Sequence, residues 1–169
     1  MNLLEEIRIK HQPNIEDVER IDIEVGPVAS TAAALKEPVK GVEGKFSVWF
    51  LAAVALAEGN ITVDTFTDEK VNDPRLIALR RKIHTSLDSR IKFGSRLSVK
   101  MKNGVEYKDF LAVPKGDPAN PLSLNELITK YKKAAILAIP EKNIELLIEK
   151  IKMLDKIKDI NEIINLSHS

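Results

Sequence analysis

The stretch V42-EGKFSVWFLAAVALAEGNITVDTFT-D68 decides how the rest of this chain must fold. From Phe46 to Ala57 every residue but Ser47 is apolar, and two aromatics stand side by side at Trp49 and Phe50. A helix that is apolar all round is buried all round. Yet a bilayer crossing needs about 20 apolar residues, and this run is shorter. The spacing therefore predicts the central helix of a water-soluble domain, closed at its far end by Gly59 and Asn60.

The segments on either side carry the patterns of elements that would cover such a helix. Asn2 to Lys10 has Leu3, Leu4 and Ile7 on one side and reads as a short helix, and Ile15 to Glu19 as a turn. Ile21, Ile23 and Val25 alternate with Asp22 and Glu24, the period of a half-buried strand. Gly26 and Pro27 end it. Residues 28–44 are a loop with helical potential at Ala32 to Leu35. After the central helix, Ile61 to Phe66 reads as short and irregular, and Thr67 caps a turn through Val71. Asp73-Pro74 has a carboxylate at N-cap and proline at the first helical position, which starts another helix.

Ile83, Thr85 and Leu87 mark a second strand, and Arg96 to Lys102 a third. Asn103-Gly104 predicts a type I′ hairpin leading to a fourth strand, Val105 to Val113. In that strand the apolar set moves from Val105 and Tyr107 to Phe110 and Ala112, which predicts a bulge near Lys108. Ser123 and Glu126 form a capping box. Apolar residues then recur at helical spacing on both sides of Pro140, and Asp159 is expected to cap a last short helix. Together these predict one α+β domain over residues 1–169. An antiparallel sheet of about four strands packs against helices, the central helix is buried, and a helical C-terminal third lies beside or under the sheet.

Composition narrows the function classes. The 169 residues carry a formal net charge of +1, without the basic face expected of a nucleic-acid binder. There is no cysteine, so thiolate chemistry and disulfides are absent, as suits a cytoplasmic protein. The N-terminus lacks the apolar core of a signal peptide. No membrane partner is indicated. His11, His84 and His168 are far apart, without metal-ligand spacing. Asp64, Asp68, Glu69 and Asp73 form an acidic run that capping and solvation account for, and Lys130, Lys132 and Lys133 read as a solvated face.

Three quoted motifs carry a resemblance. EGKFSVWFLAAVALAEG (43–59) followed by ITVDTFTDEKVNDPRL (61–76) resembles the second domain of the MmgE/PrpD family: a Lys-Phe-Ser start, an apolar helix ending in an acidic residue and Gly, then a Phe-Thr-Asp turn. KGDPANPLSLNELITKY (115–131) is similar to the family's second hallmark, a Gly-x-Pro-x-x-Pro-Leu-Ser helix start with a Lys-aromatic pair, here Lys130-Tyr131. IEDVERIDIEV (15–25) resembles the strand that opens the domain.

The family includes 2-methylcitrate dehydratase, cis-aconitate decarboxylase and iminodisuccinate epimerase. The resemblance implies lyase or isomerase chemistry on small polycarboxylates, with no metal or redox cofactor. It also implies a smaller α+β lid that closes over a site built mainly by a larger helical domain. That helical domain has no counterpart in these residues, and the match beginning at Met1 leads us to expect the lid alone. The expected partners are a separate helical domain or a second copy of the chain, with no nucleic acid and no membrane.

Lys45 and Ser47, at the start of the central helix, are the expected carboxylate-binding residues, since a helix N-terminus beside an ammonium suits an anion. Capping by Ser47 and a solvated lysine is the structural alternative. Phe50 is the third expected substrate-binding position. Family members commonly have tyrosine there, facing the active site, and a phenyl ring cannot donate a proton. No catalytic residue is assigned. Two functions follow: an accessory lid that is inactive alone, or a free-standing binding or oligomerisation module.

Overall fold

The computed structural model describes residues 1–168, and their contacts fall into two compact units, residues 1–120 and 121–168. The first unit runs α1 (Asn2–His11), β1 (Val18–Val25), α2 (Pro27–Ala32), α3 (Gly41–Gly44), α4 (Val48–Glu58), α5 (Asp68–Val71), α6 (Pro74–Arg80), β2 (Ile83–Leu87), β3 (Ser95–Met101) and β4 (Glu106–Leu111). The second contains α7 (Leu124–Ala135), α8 (Glu141–Lys152) and α9 (Asn161–Ile164).

Helix α4 is the apolar run. Phe50, Ala52, Ala53, Val54, Ala55 and Leu56 are fully buried. It joins one core with Leu3, Leu4 and Ile7 of α1, Leu76 and Leu79 of α6, and the inward residues of the sheet: Ile21, Ile23, Ile83, Leu97 and Val99. The opposite face of the sheet is wet. There Arg20 binds Asp22 at 2.7 Å, Lys100 binds Glu19 at 2.9 Å, and Arg96 pairs with Glu24. This division follows from the alternation of each strand.

The sheet is mixed, in the order β2-β1-β3-β4. β1 pairs antiparallel with β3, and β3 with β4, but β1 and β2 are parallel, with Ile21 opposite Ile83 and Val25 opposite Leu87. The expected all-antiparallel sheet is thus corrected on one edge. The connection from β1 to β2 carries five helices, and a long helical crossover carries the chain back to the end at which β1 began. From β2 the chain must then pass the end of β1 to reach β3. It does so at Gly26, where a Cβ would lie 2.1 Å from the carbonyl oxygen of Ile91.

Three local expectations also change. The helix in residues 28–44 forms earlier, over Pro27–Ala32, because Pro27 stands at its first position. The hairpin is present, but Asn103 keeps a negative φ and only Gly104 is left-handed, at φ 86°. Three residues connect Met101 to Val105, and the Gly104 N–H donates to the carbonyl of Met101. This is the longer turn with glycine at the left-handed place rather than type I′. Finally, β3 and β4 pair without a bulge from Ser95–Leu111 to Lys100–Glu106. Phe110 simply points to the wet face, half exposed, with the Arg96 guanidinium 5.3 Å from its ring centre. The register shift lies instead in β1, between Val18 and Arg20.

In the second unit, the Ser123–Glu126 capping box forms as read, with the Ser123 N–H donating to Glu126 at 2.7 Å. Ala135, Ile144 and Ile148 make its small core, with Ile128, Tyr131 and Ile139 against them. Among the described residues, no helix is long and apolar enough to cross a membrane.

The crossing loop yields an acid-stability test. Asp88 accepts from the Arg90 guanidinium at 2.8 and 2.9 Å and from its backbone N–H at 3.0 Å. These bonds, the guanidinium first, lower its pKa from 3.8 to about 2. A carboxyl depressed in the folded state stabilises above its unfolded pKa, and that contribution is lost as pH falls through the folded one. We expect the Asp88 carboxyl carbon to titrate near 2 by NMR, with its stabilising contribution falling away between pH 3.8 and about 2. In Arg90→Ala the midpoint should return toward the ordinary aspartate range. An unshifted midpoint in the native chain would refute the assignment.

Candidate functional site

The region the sequence singles out is the entry to α4, and it is built as a clamp. The loop ahead of α3 is tied to the segment that follows α4. Asp68 accepts from the Gly41 N–H at 2.7 Å, and Asn72 donates to the carbonyl of Val39 at 2.9 Å. At Gly41 a Cβ would lie 2.2 Å from the carbonyl oxygen of Phe66, so the two backbones approach to a distance only glycine permits. The Lys45 ammonium stands 5.4 Å from the centre of the Phe66 ring. Residues 41–45 and 66–72, the two ends of the opening stretch, thus hold each other. Asp68, read in sequence as a solvated acid, is a structural acceptor. Its partner lies 27 residues away, so no local signal identified it.

Lys45 follows the last residue of α3 and is exposed. Ser47 is completely buried and is the N-cap of α4: its Oγ accepts from the Phe50 N–H at 3.1 Å. The Val48 N–H at the same helix end donates to the carbonyl of Ala33 at 3.1 Å. Two donors of the α4 N-terminus are therefore satisfied within the protein. Phe50 is fully buried as well, and its ring lies against Gly44, where a Cβ would come within 2.7 Å of the ring carbons. Of the three expected substrate-binding residues, Lys45 alone presents its side chain to solvent. Ser47 and Phe50 are enclosed in the packed interior.

The histidines do not converge. His11 stacks on Tyr107 with ring centres 4.6 Å apart. His84 is exposed on the wet face beside Asp22. His168 lies near the C-terminus. Among the described residues, no group of three or more acids or histidines is arranged to hold a metal ion. Asp73 caps α6 through the Arg75 N–H at 2.8 Å, and the guanidinium of Arg75 draws its pKa down.

Comparison with known proteins agrees with the motifs. The sequence profile of the MmgE/PrpD C-terminal domain matches residues 1–155. Human cis-aconitate decarboxylase is 28% identical over 127 residues, which is 72% of this chain and 26% of that protein. The chain thus spans about a quarter of the length of the curated relative it matches.

Two substitutions test the packing. Gly41→Ala forces backbone apart from backbone, and we expect a loss of about 1–3 kcal/mol in urea unfolding. Phe50→Tyr adds a hydroxyl to a fully buried ring, with an expected cost of about 1–3 kcal/mol for an unmet polar group. Unchanged stability in Phe50→Tyr would instead show that the position opens on polar space.

Proposed function

The chain belongs to the MmgE/PrpD family, and from that premise we propose that it serves as the lid-type part of a lyase or isomerase acting on small polycarboxylates. The helical part that completes the site is supplied from outside residues 1–169. The observation that carries this reading is the family match over residues 1–155, together with its coverage of 26% of the curated relative. In this reading Lys45 is the lid's contribution to carboxylate binding, since its ammonium is exposed at a rigid, clamped turn. Ser47 and Phe50 act from the interior, holding the α4 entry in place. In this reading the general acid and base come from the helical part, so the lid needs that partner for chemistry.

A second reading is a non-catalytic binding or oligomerisation module. The exposed apolar side chains of the second unit favour it. Leu124, Leu127, Leu146 and Ile151 are 45–58% exposed, and apolar surface of this kind is commonly covered by association.

The experiment assays the purified chain on cis-aconitate and 2-methylcitrate, alone and with a helical MmgE/PrpD-type domain, and measures mass in solution. We expect no turnover by the chain alone and a stable complex with turnover when the helical part is added. Lys45→Ala should then raise KM in the complex. Turnover by the chain alone would overturn the lid reading. Self-association with no affinity for the helical part would establish the second reading instead.

A further inference from the structure

Helix α6 with Arg81 after it and the loop before α3 line a half-open cavity of about 250 Å³ that shares no residue with Lys45, Ser47 or Phe50. Loop residues 36–39 line one side, and Ile77, Arg80 and Arg81 the other. Three of its side chains are basic and one, Glu37, is acidic.

Arg80 is the anomaly. Leu76 and Leu79 bury the same helix in the core, and Arg80 follows them in, only 9% exposed. The hydrogen bond its guanidinium makes is a long one, 3.5 Å from Nη1 to the carbonyl of Pro38. Other arginines of this unit are answered by carboxylates: Arg20 by Asp22 at 2.7 Å, Arg75 by Asp73 at 2.7 Å and Arg90 by Asp88 at 2.8 Å. Those arginines are largely exposed, where an ion pair contributes little. A mostly enclosed guanidinium has more to gain from a counter-charge than an exposed one.

Burial lowers the Arg80 pKa, Glu37 opposes that, and the like charge of Arg81 adds to it. A guanidinium has five N–H donors. Among the described residues, no side-chain nitrogen or oxygen sealed from solvent lacks a partner. The unengaged donors of Arg80 therefore reach the accessible space beside it, which is this cavity. An apolar residue at position 80 would continue the buried face of α6 without this cost.

We propose that the cavity binds a small oxyanion of at least two negative charges, bearing carboxylate or phosphate groups. Arg80 grips one group with its planar fork of donors, the geometry that suits arginine to carboxylate and phosphate. Lys36 and Arg81 hold the remainder at the rim. Three bases against Glu37 leave a surplus of two positive charges, which a dianion neutralises.

The test is an amide NMR titration of the 169-residue chain with tricarballylate, with inorganic phosphate and with chloride, at about 0.15 M salt. We expect saturable shifts confined to residues 36–39 and 77–81 for one or both oxyanions and none for chloride. The tighter of the two identifies the ligand class. Lys36→Ala with Arg81→Ala, both on exposed side chains, should leave the remaining spectrum unchanged and weaken binding about tenfold or more, equivalent to about 1.4 kcal/mol. Arg80→Gln should abolish binding. If that variant fails to fold, the double variant decides. Absence of saturable shifts with both oxyanions, or equal affinity in the double variant, would overturn the proposal. Because the readout is binding to the chain alone, it is independent of whether the lid reading survives its turnover assay.

Discussion

Helix α4 has no polar side to offer water, and the first unit is arranged around that constraint. Covering it takes three directions at once: α1 on one flank, α6 on another, and the inward face of the sheet beneath. Burial of fully enclosed side chains such as Leu56 and Val54 supplies about 1.5–3 kcal/mol each. In chain order α5 and α6 lie between β1 and β2, and this long crossover lets β2 run parallel to β1.

The clamp at the α4 entry is a second consequence. A helix fixed on all sides needs a fixed start, and Ser47, Asp68 and Gly41 provide it through a cap, a long-range acceptor and a close backbone approach. The same contacts hold Lys45 at an exposed turn. A fixed turn and a presented ammonium thus come from one device, as the proposed lid role of Lys45 requires. Arg80 shows the opposite balance: it is buried where its charge is costly and opens on a cavity where an anion would relieve it.

Much of the fold was legible because it rests on local chemistry. The apolar run of α4, the alternation of β1, the Asp73-Pro74 start and the Ser123–Glu126 box each identify an element from residues within a few positions of one another. The places where the reading slipped have physical causes. Phe110 suggested a bulge because an exposed aromatic mimics a core position in the alternation. Asn103-Gly104 signals a tight turn whether the loop holds two residues or three. Of the candidate site, Lys45 and Ser47 were legible as a helix entry, but exposure separates them, and neither Asp68 nor Arg80 carried a local signal.

Sequence by itself determined the elements, the buried helix and the family, since periodicity, capping and motif spacing are properties of neighbouring residues. Only the tertiary structure decided strand direction, the burial of Ser47 and Phe50, the clamp between Gly41 and Asp68, and the cavity at Arg80. Each of these depends on which distant segments meet. Such meetings are set by the need to enclose α4 completely, a requirement that no short window of residues expresses.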